Sequence, residues 1–85
     1  IFLCFFLRLH AGQEEELFLL ANQHYTKGEL DAALAHYGKI KHKGPSVLHN
    51  MGNCYYHLGN YLYAALYWER AQKQASFAHC CALDA

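Results

Sequence analysis

Seven histidines and four cysteines in 85 residues are the side chains with which this sequence could do chemistry. His79-Cys80-Cys81 sets three soft donors side by side, a ligand set suited to zinc, copper or thiol redox work. Zinc sites, however, pair their ligands as C-x2-C with a second pair at a set spacing, and adjacent residues on a helix point about 100° apart. His49 and His57 stand two turns apart, ~12 Å along a helix axis, too far for one ion. Cys54, between Asn53 and Tyr55, reads as a packed, buried thiol. In an exported chain, four cysteines would allow three disulfide pairings. No metal and no cofactor is assigned; a metal- or thiol-based role for His79, Cys80 and Cys81 stands as the alternative function.

The motifs G-x-x-x-x-G-K-[ST], G-x-G-x-x-G and H-E-x-x-H do not occur in the sequence. Ser46 and Ser76, its two serines, lack a nucleophile-elbow context. The carboxylates gather at expected helix ends rather than in opposed pairs. No catalytic residue is assigned, and the sequence reads as that of a nonenzymatic protein. A net charge of zero with neutral histidines offers no global field to nucleic acid or to an anionic membrane.

Hydrophobic residues at 54% supply a core, and charged residues at 16% are too few for a disordered chain. The core pattern is clearest from Pro45 to Ala71. Leu48, Met51, Gly52 and Tyr55 recur at steps of three and four, which is one face of a helix. Gly59-Asn60 breaks the pattern at a residue able to take the left-handed conformation that closes a helix. Ala64, Trp68 and Ala71 then share the stripe of a second helix, with Leu66 and Tyr67 beside it. Gly52, Ala64 and Ala71 are small enough to let two helix axes approach, while Tyr55 and Trp68 fill the space alongside. The pattern also occurs 31 residues earlier. There Leu17, Leu20, Ala21, Asn22, Tyr25, Gly28, Ala33 and Tyr37 stand over Leu48, Met51, Gly52, Asn53, Tyr56, Gly59, Ala64 and Trp68. A fixed period of this size marks a stacked repeat, in which one helical hairpin cannot cover its apolar face alone.

Leu48-x2-Met51-Gly52-x2-Tyr55 followed by Ala64-x3-Trp68 resembles the tetratricopeptide pattern W-x2-L-G-x2-Y, A-x3-F, P. The earlier copy, Leu17-x2-Leu20-Ala21-x2-His24, then Ala33-x3-Tyr37 and Pro45, resembles it more loosely. His24 replaces an aromatic there, and Ile40 a small residue. The period is shorter than the usual one of about 34 by three residues, a shortening expected around His42-Lys43-Gly44. The resemblance spans roughly residues 14 to 75. It implies an all-α fold of tandem helical hairpins in a right-handed solenoid, with two repeats (about 14–44 and 45–75) making up residues 13–75. The packing positions are then Leu20, Ala21, Gly28, Ala33 and Tyr37 in the first copy. In the second they are Met51, Gly52, Tyr55, Gly59, Ala64, Trp68 and Ala71.

The same resemblance implies a noncatalytic interaction scaffold, whose first helices line a concave groove for an extended peptide or a partner protein. Helical spacing supplies the candidates for that surface: His49, Asn53, Tyr56 and His57 in the second copy, with Phe18, Asn22, Tyr25 and Thr26 as their counterparts. Asparagine both donates and accepts, which suits a peptide backbone, and tyrosine adds contact area at low entropic cost. Asn22 and Asn50 also stand where family members that hold a peptide's terminal carboxylate carry asparagine. The accompanying basic residues are absent, with Phe18 in place of one, so a chaperone-tail ligand is not expected.

The flanks are read more simply. The apolar run Ile1 to Leu7, then Arg8 and Ala11-Gly12, looks like the tail of a secretory signal peptide with a cleavage site after Ala11. The other reading of residues 1–12 is an apolar helix capping the first repeat. The run is too short to span a membrane, which takes about 20 apolar residues. With an export signal, the chain is similar to short tetratricopeptide proteins of the bacterial cell envelope, including those associated with aerotolerance operons. Its expected location is then the periplasm or envelope, with the cytoplasm as the alternative. Glu14, Glu15 and Glu16 are expected to open the first helix, and Asp31 to cap or open the second. Lys39, Lys41 and Lys43 crowd the end of that second helix, and Gly44-Pro45-Ser46 closes it and starts the next. Residues 76–85 are expected as a short capping helix over the last hairpin or as the start of a truncated third repeat. A solenoid usually needs about three repeats, so the uncovered faces could also pair two copies. The expected partners are a protein or peptide and a second copy of the chain, not nucleic acid.

Overall fold

The computed structural model describes the backbone of residues 2–84 and the side chains of residues 12–76. Four helices and no strand make up the described residues: α1 (Phe2–Thr26), α2 (Leu30–Lys39), α3 (Pro45–His57) and α4 (Tyr61–Asp84). Helix α1 packs on α2 and α3 on α4, giving two compact units, residues 1–41 and 42–85. The all-α hairpin architecture expected from the repeat pattern is the one observed. Among the described residues no helix is long and apolar enough to cross a membrane.

Both hairpins turn by the same device. Gly28 and Gly59 have φ of +83° and +86°, the left-handed region that glycine enters without a Cβ penalty. In the first turn Glu29 N–H donates to the His24 carbonyl at 2.8 Å and Gly28 N–H to that of Tyr25 at 3.0 Å. In the second, Asn60 N–H donates to Tyr55 at 2.8 Å and Gly59 N–H to Tyr56 at 3.0 Å. These paired six-to-one and five-to-two bonds form a Schellman cap, which satisfies carbonyls that the end of a helix would leave bare. The hairpins differ at the next residue. Asn60 Oδ1 accepts the Tyr63 N–H at 3.3 Å and caps α4. Glu29, at the matching position, makes no side-chain cap to α2 and instead meets His24 Nδ1 at 2.9 Å.

Small residues, aliphatic side chains and the Tyr37 ring form the interior. Ala21, Ala33 and Tyr37 are fully buried in the first unit, as are Cys54 and Ala64 in the second, with Leu48, Met51 and Ala71 nearly so. Leu20, expected among the packing residues, stays 37% exposed, whereas its counterpart Met51 is 4% exposed.

Three boundary expectations are corrected. The Glu14–Glu16 run lies in the middle of α1, which begins upstream at Phe2 and continues through Gly12 with no proline to stop it, so it does not form a first turn. Glu14 has another use: its Oε1 accepts the Lys41 N–H at 3.2 Å, just past the end of α2. Gly44 does not close α2, which ends at Lys39; it is the extended N-cap of α3 (φ −77°, ψ 179°), the conformation that a following proline imposes. The chain from Ser76 forms no separate capping helix or new repeat, because α4 continues unbroken to Asp84. No glycine or proline follows Ala71, and Ala, Gln and Lys propagate a helix well. The side chains of residues 1–11, Cys4 among them, lie outside the described set.

Candidate functional site

Trp68 organises the best-defined surface of the second hairpin. Its ring lies directly on the backbone of α3 at Gly52, where a Cβ would stand 2.5 Å from the indole Nε1 and 3.1 Å from Cγ. Glycine therefore fits here because no other residue leaves room for the ring. The indole N–H is shared between Asn53 Oδ1 at 3.2 Å and the His49 carbonyl at 3.3 Å. An indole nitrogen only donates, so Asn53 must present its oxygen to it, and the amide NH2 is turned the other way. Tyr56, 49% exposed, packs its ring against Trp68 (centroids 5.7 Å apart) and edge-on to Tyr61 at 5.3 Å. The His49 ring lies 6.4 Å from Trp68. His49, Asn53 and Tyr56 thus form one stripe of α3 beside the indole, at the helical spacing expected of them.

The remaining candidates are placed differently. In the first hairpin the Tyr37 hydroxyl donates to Asn22 Oδ1, and Phe18 lies 6.1 Å from the Tyr37 ring. Thr26 bonds back to the Asn22 carbonyl within α1. His57 sits edge-on to Tyr56 at 5.7 Å. Asn22, Tyr25, Asn50 and His57 are all engaged in further interactions within the protein. Two of the three asparagines read as ligand-facing are therefore also structural, since Asn22 and Asn53 each anchor the polar atom of the inner ring one helix away.

Sequence reasoning overlooked a stack that the period brings out. His24 and His36 lie face to face in the first hairpin, centroids 5.0 Å apart and 12° from parallel. Their counterparts 31 residues on are Tyr55 and Tyr67, stacked at 5.3 Å and 23°. The histidine pair therefore fills the place of a tyrosine pair, and its position in the repeat accounts for it without a metal. Burial, then the neighbouring Tyr67, raises the Tyr55 hydroxyl above its usual range. Arg70 lies over the outer ring, 5.4 Å from the centroid of Tyr67. Burial pushes the Cys54 thiol up to about 11, so it is a neutral packing group with no disulfide partner. Among the described residues no three metal-binding side chains converge. His79, Cys80 and Cys81, the alternative ligand set, have side chains outside the described residues.

Two hairpins with the same turn, an aromatic ring at the same inner position and an asparagine anchoring each ring define a helical-repeat protein. A profile of the tetratricopeptide repeat family matches residues 45–76, which take in α3 and most of α4, and this hairpin is a tetratricopeptide repeat on that match. No curated protein and no solved structure matches the chain. A repeat of this family points to a scaffold for protein partners, a role that is typically noncatalytic.

Proposed function

We propose that the chain binds an extended peptide or a partner protein on the His49–Asn53–Tyr56 stripe of α3. The observation that carries this reading is the locked amide of Asn53. The indole holds its oxygen, which leaves its NH2 as the group to meet a ligand beside a half-exposed tyrosine in contact with the rings of His57, Tyr61 and Trp68. A fixed donor next to a rigid aromatic surface binds a backbone carbonyl and an apolar side chain with little ordering cost. Phe18, Asn22 and Tyr25 on α1 are proposed as a second contact of the same kind. Peptides selected by display on the full chain and titrated by calorimetry provide the test. Tyr56→Ala should weaken the selected peptide roughly tenfold or more. Tyr63→Ala, on half-exposed ground of α4, should leave its affinity within about twofold. Equal affinity for the Tyr56→Ala and unmodified chains would overturn the reading.

An envelope location belongs to the same proposal, supported by the apolar run Ile1 to Leu7 followed by Ala11-Gly12. A secreted-reporter fusion should be exported and shortened at Ala11; a cytoplasmic, full-length fusion would count against it.

A further inference from the structure

We propose that the chain associates with a second copy of itself head to tail, the Leu17–Leu20 stripe of α1 in one copy docking on the Leu62–Leu66 stripe of α4 in the next. The repeat supplies the first argument. On α3 the positions Val47, Leu48, Met51 and Cys54 are all buried, the most exposed of them at 8%. Their counterparts on α1 are Glu16, Leu17, Leu20 and Gln23, of which Glu16, Leu20 and Gln23 are exposed and Leu17 is half-buried. A stripe that is covered in one repeat is thus open in the other, with its two leucines still in place and a polar rim around them, which is the anatomy of a docking surface.

Charge identifies the occupant. The α1 surface has a shallow depression of about 200 Å³ lined by Gln13, Glu16, Leu17 and Leu20. From residue 12 to residue 26, α1 carries Glu14, Glu15 and Glu16 and neither lysine nor arginine. The α4 surface has a matching depression of about 220 Å³ lined by Leu66, Glu69, Arg70 and Lys73. Glu69 is paired there with Lys73 at 3.5 Å, so Arg70 is in excess, and Leu62 beside it is 77% exposed. Around the two stripes the charges are opposite, three carboxylates on residues 12–26 of α1 against Arg70 and Lys73 with one carboxylate on residues 61–76 of α4, and opposite charge sets both partner choice and register. Two different patches meeting in this way form a heterologous contact, which propagates rather than closing as a symmetric pair.

The test uses the full chain in sedimentation velocity over a hundredfold range of concentration. The unmodified chain should gain mass with concentration. Leu20→Asp and Leu66→Asp should each remain monomeric alone. Mixed in equal amounts they should form a one-to-one dimer that grows no further, because one chain keeps its α4 face and the other its α1 face. An unmodified chain that is monomeric throughout would overturn the proposal, as would single variants that still associate, or a mixture that does not. Circular dichroism checks folding; a variant that has lost helicity is replaced by Leu20→Gln or Leu66→Gln, for which the same outcomes decide.

Discussion

In hairpin α1–α2 the inner ring is Tyr37 and the small residue at the Gly52 position is Ala21; in hairpin α3–α4 they are Trp68 and Gly52. Asn22 receives the phenol and Asn53 the indole. His24 stacks on His36 where Tyr55 stacks on Tyr67. Phe18 stands beside Tyr37 where His49 stands beside Trp68. The backbone arrangement is kept while nearly every side chain in it changes, and the changes are coupled. The wider indole goes with the residue that has no Cβ, and the narrower phenol with alanine. What repeats is therefore a set of paired volumes and one hydrogen bond, rather than particular residues.

The largest change should come from removing the larger ring. Trp68→Ala should destabilise the second hairpin by about 3 kcal/mol, the lower end for tryptophan because the ring is only partly buried. Urea unfolding followed by circular dichroism measures this, since the variant lacks the chain's one tryptophan. Next, Gly52→Ala should destabilise by roughly 1–3 kcal/mol, because the new methyl enters the indole and outweighs the gain in helix propensity. Asn53→Ala leaves the indole N–H the His49 carbonyl alone and should cost about 1 kcal/mol. It is consequently a poor probe of binding, and Tyr56→Ala is the cleaner one. Finally, Asn60→Ala should remove about 1 kcal/mol through its lost cap, while Glu29→Ala should leave stability within about 0.5 kcal/mol. Equal losses at those two positions would erase the difference between the turns.

The hairpins are legible in the sequence because their signals are local. Gly28 and Gly59 end helices through backbone freedom, and the stripes of small and aromatic residues repeat at one interval. Helix extent is less legible. The run Glu14–Glu16 looks like a start only if what precedes it is not helical, and a carboxylate cluster carries no information about that. At the other end α4 runs on simply because nothing stops it. The site is half legible: spacing places His49, Asn53 and Tyr56 on one stripe, but no spacing rule tells whether an asparagine faces a partner or a neighbouring ring. The histidine stack lies hidden until His24 and His36 are set against Tyr55 and Tyr67.

The coupling between ring and small residue is tested most directly by repeating Gly52→Ala in a chain that already carries Trp68→Tyr, with urea unfolding as the measurement. That background reproduces the first hairpin's combination, so the alanine should now stabilise, by up to about 1 kcal/mol from helix propensity. A loss of the same size in both backgrounds would show that the indole and the glycine are independent, and would contradict the paired-volume account of the repeat.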